Sequence, residues 1–156
     1  MRSNFSFCAL VLAVSLFGCA QNNTKGNVHN HPVTLEVKDG AVSGYSHTSG
    51  SDAKIYSYKY SGGDDGNGSL TISASEKPNV TIPLHLSADH TFSIVSLIFQ
   101  GDKHQLSFAI TNPKEAIIQD KNDVKFDAGY YAVTVVKDVA PDNQVIISFD
   151  PKIVNN

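Results

Sequence analysis

The 156-residue chain has no tryptophan, one methionine and two cysteines. Both cysteines, Cys8 and Cys19, fall among the first twenty residues, so the rest of the chain can form no internal disulfide and must hold itself together by packing. No apolar run reaches the roughly 20 residues that a membrane-spanning helix needs. Catalytic signatures are missing too: there is no H-E-x-x-H, no phosphate-cradling loop and no dinucleotide fingerprint. The nearest approach to a serine-nucleophile elbow, Gly44-Tyr45-Ser46-His47-Thr48, lacks the second glycine and the strand-to-helix context. Positive charge is scarce, with 12 basic against 15 acidic residues. Such a balance argues against nucleic acid as a partner. The inventory implies no enzyme and no cofactor.

The N-terminus explains where the cysteine comes from. Arg2 begins a short positive region, Phe5 to Phe17 is apolar, and small residues follow. This pattern predicts a processed targeting segment over residues 1–18. Leu16-Phe17-Gly18-Cys19 resembles a bacterial lipobox, although Phe17 replaces the usual small residue. The resemblance implies that Cys19 is acylated and becomes the first mature residue, with the membrane as a partner through that anchor. Ala20 where an aspartate would retain the protein in the inner membrane implies an outer-membrane destination. The alternative is ordinary cleavage after Ala20 and a soluble exported product. Without residues 1–18 the chain carries 11 basic and 15 acidic residues, a net charge of −4. Residues 19–31 are polar and aperiodic and read as a spacer, leaving 32–156 as one folded domain.

That domain reads as β throughout. Short alternating runs at 33–38, 41–46, 53–60, 69–75, 79–86, 91–100, 104–110, 115–119, 129–137 and 144–150 are separated by Gly, Asp, Asn and Pro. Asn112-Pro113-Lys114-Glu115 allows one helical turn at most. Eight to ten strands in a domain of this length predict an all-β, antiparallel β-sandwich. Asp127-Ala128-Gly129-Tyr130-Tyr131-Ala132-Val133 resembles the D-x-G/A-x-Y-x-C signature of immunoglobulin-like domains. The resemblance makes Tyr131 a corner tyrosine whose hydroxyl bonds back to backbone, with Asp127 and Gly129 as structural residues. Val133 stands where antibody domains place cysteine, so with no tryptophan the antibody-type core is excluded. Asp150-Pro151 near the end looks similar to the uncharacterised DP-EP family, which implies no activity. Pro151 has no N–H and is expected to end the last strand.

Candidate ligands come from a few places. His29-Asn30-His31 is an H-x-H pair suited to Zn or Cu if a third ligand approaches. His85 and His90 flank a turn, but the hydrophobic register sets Leu84 opposite Phe92 and so puts the two histidines on opposite faces. Asp64 and Asp65 in Ser61-Gly62-Gly63-Asp64-Asp65-Gly66-Asn67-Gly68 offer oxygens for calcium, without the spacing of a calcium loop. The same letters describe a flexible hairpin loop. Tyr56, Tyr58 and Tyr60 alternate along one strand, either as a binding face for an envelope protein or glycan or as a core face. The sequence therefore points to an outer-membrane-anchored, non-catalytic binding module of the cell envelope. Its alternatives are a divalent-metal binding protein and, behind that, an envelope hydrolase.

Overall fold

The computed structural model describes residues 27–29, 31–73, 75–76, 79–89, 91–101, 104–123, 125–138, 144–147 and 151–156. The expected signal segment, Cys19, His90 and Asp150 lie outside them. The described residues form an all-β fold of two sheets with no helix. The first sheet contains β1 (Asn27–Val28), β2 (Val33–Asp39), β3 (Ser46–Ser49), β4 (Ile55–Gly62), β6 (Val80–Ala88), β8 (Leu106–Asn112) and β9 (Glu115–Asp120). Its order is β3-β4-β2-β6-β9-β8, with β1 beside β6. The second holds β5 (Leu70–Ile72), β7 (Phe92–Gly101), β10 (Phe126–Lys137), β11 (Gln144–Ile146) and β12 (Lys152–Asn155). There β7 flanks one side of β10, β11 and β12 share the other, and β5 lies outside β12.

Alternation builds the core. In β2 and β6 every second residue is buried, so Val33, Leu35 and Val37 join Val80, Ile82, Leu84 and Leu86 on the inner face. Leu70, Ile72, Phe92, Ile94, Tyr131, Val133, Val135 and Ile153 meet them from the second sheet in the same cluster. Each fully buried side chain of this size contributes about 1.5–3 kcal/mol. Aromatic edges bridge the sheets, Tyr56 against Phe92 at 5.9 Å and Tyr60 against Tyr131 at 5.9 Å.

Several expectations need correction. The sheets are mixed: β1 and β2 run parallel to β6, and β5 runs parallel to β12, while the other pairs are antiparallel. β6 and β7 do not form a hairpin with Leu84 opposite Phe92. β6 is already flanked by β2 and β9, and the chain crosses at Asp89–Thr91 to pair β7 with β10. The two apolar faces then meet between sheets instead of side by side. The strand expected at 41–46 begins at Ser46, because Val42 to Tyr45 turn, with Tyr45 N–H donating to Val42 O. Residues 112–115 are the β8–β9 turn, with no helical turn. Pro151 does not close the final strand. It is buried, its carbonyl accepts the Tyr131 N–H, and β12 follows it.

The expected spacer also enters the fold. β1 and β2 lie along the same side of β6, Val28 opposite Thr81 and Val33 opposite Leu84. The sequence between Val28 and Val33 is thus longer than the stretch between Thr81 and Leu84 that it passes. Pro83 has no N–H to donate, and an interior proline is tolerated where the neighbouring strand bulges. His29 still donates its N–H to Thr81 O, and His31 falls between the two strands.

Candidate metal centre

The loop after β4 is held from several directions. Gly62 takes φ +76°, and a Cβ there would lie 2.2 Å from Pro32 O. Only glycine brings the end of β4 this close to the bulge. Gly63 N–H then donates to Pro32 O, Gly68 N–H to Gly62 O and Asp64 N–H to Ser69 O. Asp65 Oδ1 accepts the N–H groups of Asn67 and Ser69, so this carboxylate serves the loop itself. The Tyr131 hydroxyl donates to Gly68 O at 2.6 Å from inside the core. That is a correction to the corner expectation: the hydroxyl finds a backbone carbonyl, but in the β4–β5 loop, far from the residues just upstream of Tyr131. The run of glycines and aspartates is accordingly a braced loop, not a slack one.

The bracing aims Asp64 at the histidines. Asp64 Oδ2 accepts the Thr71 N–H at 2.6 Å, leaving Oδ1 turned toward the bulge. His29 Nε2 lies 3.3 Å from Asp64 Oδ1, and His31 Nδ1 closely contacts the same oxygen. All three donor atoms lie within 4.8 Å of one another. His29 is buried at 8 % exposure and His31 is 59 % exposed, so the cluster opens to solvent on one side only. Behind it, His29 Nδ1 lies 3.4 Å from Glu76 Oε2, whose other oxygen accepts the Ser73 N–H. Burial alone would raise the Asp64 carboxyl; the Thr71 N–H and the two imidazoles outweigh it and hold its pKa below the usual range.

No family model and no curated protein matches this chain.

The remaining candidates scatter. Tyr56, Tyr58 and Tyr60 are all buried, with exposures of 0, 5 and 6 %, so they form a core face and not a binding surface. Tyr56 has its pKa pushed up to about 12, first by burial and then by the hydrogen bond it donates to Asp52. His85 is exposed on the outer face of the first sheet. It lines a shallow groove of about 460 Å³ with Val28, Pro32, Pro83 and Glu115. Ser46 lines a separate hollow of about 250 Å³ with Tyr58, Lys59 and Asn67. Gly129 is buried in β10, which also contains Asp127.

A carboxylate in the opposite setting, fully buried, lies at the far end of β9. Asp120 is fully buried, and Asn155 of β12 is 1 % exposed beside it. Asp120 Oδ1 accepts the Asn122 N–H at 2.8 Å and the Asn155 amide at 3.2 Å. Asp120 Oδ2 and Asn155 Oδ1 have no hydrogen-bond partner among the described residues. Burial is the main reason the Asp120 pKa is raised. The two donors oppose it, and the nearby charges of Asp123 and Glu76 reinforce it.

Proposed function

We propose that this protein is a lipid-anchored component of the cell envelope. Its immunoglobulin-like β-sandwich captures a divalent transition-metal ion, Zn²⁺ or Cu²⁺, at His29, His31 and Asp64. The observation that carries the reading is the convergence of His29 Nε2, His31 Nδ1 and Asp64 Oδ1. A tetrahedral ion with bonds of about 2.0–2.1 Å spaces its ligand atoms about 3.3–3.4 Å apart. The His29–Asp64 separation of 3.3 Å already matches that edge. Two imidazoles and one carboxylate suit Zn²⁺ or Cu²⁺ better than Ca²⁺, which wants six to eight oxygens. Glu76 completes a carboxylate–histidine–metal relay: it accepts the His29 Nδ1 proton, fixing the tautomer whose Nε2 lone pair faces the ion. Three protein ligands and an open side leave one position for water or a small donor. The lipobox resemblance at Cys19 supplies the anchor in this reading, and the short stretch between Cys19 and β1 holds the site close to the membrane.

Thermal unfolding of the purified protein with EDTA, Zn²⁺, Cu²⁺ or Ca²⁺ tests the proposal. At 100 times its dissociation constant a ligand adds about 2.7 kcal/mol, a rise of several degrees in the midpoint. Zn²⁺ or Cu²⁺ should give that rise, and His31→Ala, which alters an exposed side chain, should remove it. An equal rise in the variant, or a response to Ca²⁺ alone, refutes the site.

A further inference from the structure

We propose that an ion at His29, His31 and Asp64 is the clasp that holds β1 against β6, so that metal occupancy sets where the chain leaves the folded body. The inference rests on the metal site proposed above and adds what filling that site does. It starts from how little else holds β1. The strand has two residues, Asn27 and Val28, paired with Val80 and Thr81 of β6. Val28 is 57 % exposed, so its side chain adds little burial. By contrast β2 has seven residues, with Val33 and Leu35 fully buried. Segments with few buried apolar contacts open locally at low free-energy cost.

What is buried next to β1 is the imidazole of His29, and that ring is what reaches other segments. It lies against Asp64 and Glu76, 35 and 47 residues further along the chain. Both carboxylates are anchored at β5 of the second sheet, Asp64 by the Thr71 N–H within the strand and Glu76 by the Ser73 N–H just after it. An ion bound to His29 Nε2, His31 Nδ1 and Asp64 Oδ1 therefore ties the start of the first sheet to the edge of the second. β1 cannot leave β6 without drawing His29 away from Asp64, because the His29 N–H itself donates to Thr81 O. Opening of β1 and loss of the ion become one event.

The consequence is a tether of two lengths. With β1 docked the folded body begins at Asn27, and with β1 released it begins at Val33, six residues later. Six residues of chain reach at most about 20 Å. In the lipid-anchored reading, metal capture draws the domain toward the membrane by up to that distance, and metal loss lets it out. The coupling is reciprocal: whatever loosens β1 must weaken the ion by the same factor.

The test is amide hydrogen exchange of the purified full chain, read residue by residue by NMR across a Zn²⁺ titration, with calorimetry of the same samples reporting binding itself. With EDTA the His29 amide should exchange well ahead of the Tyr131 amide, which is held by Pro151 O in the second sheet. Where opening must release the ion, His29 exchange slows by the factor 1 + [Zn²⁺]/Kd, about 100-fold at 100 times the dissociation constant. His31→Ala should abolish that slowing. Val28→Gly, which alters no ligand and no buried side chain, should weaken Zn²⁺ about two- to fivefold by raising the cost of ordering β1. Calorimetry without Zn²⁺ binding overturns the site and the clasp together. Binding that His31→Ala abolishes, with His29 exchange unmoved by Zn²⁺, leaves the site standing and overturns the clasp. A His29 amide as slow as Tyr131 in EDTA, or full Zn²⁺ affinity in Val28→Gly, overturns the clasp as well.

Discussion

Asp64 and Asp120 are the same side chain in two contrasting settings. Asp64 sits partly open on a braced loop, with one oxygen held by the Thr71 N–H and the other facing two imidazoles, and its pKa is lowered. Asp120 lies fully buried between strands with one oxygen unpartnered, and its pKa is raised. Neither difference comes from residue type. Near Asp64 the Thr71 N–H and the two imidazoles together outweigh the loss of solvent. Near Asp120, two donors share one oxygen and leave the other oxygen, and that of Asn155, without a partner among the described residues. A carboxylate kept ionised beside two imidazoles is ready to share a cation; one buried with an oxygen unpartnered burdens the fold.

Substitutions can break that contrast from either side. The largest effect is expected from Gly62→Ala, which forces a side chain into a positive-φ position and against Pro32 O. Strain and overpacking together should cost about 2–4 kcal/mol. Urea unfolding measures the loss, and the Zn²⁺ response should vanish with it as Asp64 is displaced. Next comes Asn155→Ala, which strips a donor from the buried Asp120. We expect a loss of about 2 kcal/mol in the same assay, since hydrogen bonds to charged groups are worth about 1.5–3. Tyr131→Phe removes the hydroxyl that pins Gly68 and should cost about 1 kcal/mol. Because that bond holds the loop bearing Asp64, calorimetry should also find weaker Zn²⁺ binding, whereas a variant at Asp120 should leave it unchanged.

The smallest effect sharpens the comparison by pH. A carboxyl whose pKa is raised on folding favours the native state below its unfolded pKa of about 4, and that contribution is lost as pH rises through the folded value. Asp120→Asn should therefore match the wild type below about pH 4 and become the more stable form as pH rises toward neutrality. Unfolding midpoints of both proteins across that range measure it. A gain that is flat with pH would show that the Asp120 charge is not the cause.

Strand positions were largely legible in the sequence because period-two burial is written residue by residue, as in Val33-Thr34-Leu35-Glu36-Val37. Pairing was not. Val80, Ile82, Leu84 and Leu86 specify an apolar face but not which strand will lie beside it, and the local hairpin lost to β2, β9 and a crossover. The site was visible only as separate parts. His29-x-His31 and Asp64 could each be picked out, but what joins them is Pro83 opposite the bulge and Gly62 beneath Pro32. Both lie far along the chain from the histidines. Glu76 carried no signal at all, since a lone glutamate in a turn looks like any solvated one. The tyrosines left two readings open for a simpler reason: amphipathic rings alternate equally well toward solvent and core, and here they take the core.

One feature of the second sheet bears on how the chain acquires its structure in time. β12 lies between β10 and β5, and Ile153 pairs with Leu70. Among the described residues β5 pairs with β12 alone, so until residues 152–155 are available it lacks that partner and the hydrophobic cluster lacks Ile153. Pairing so distant in sequence has a large loop-closure cost and slows folding. β5 therefore takes its place in the sheet through a contact that Leu70 makes with Ile153, and this part of the core is expected to consolidate later than the first sheet, whose strands all lie at or before Asp120.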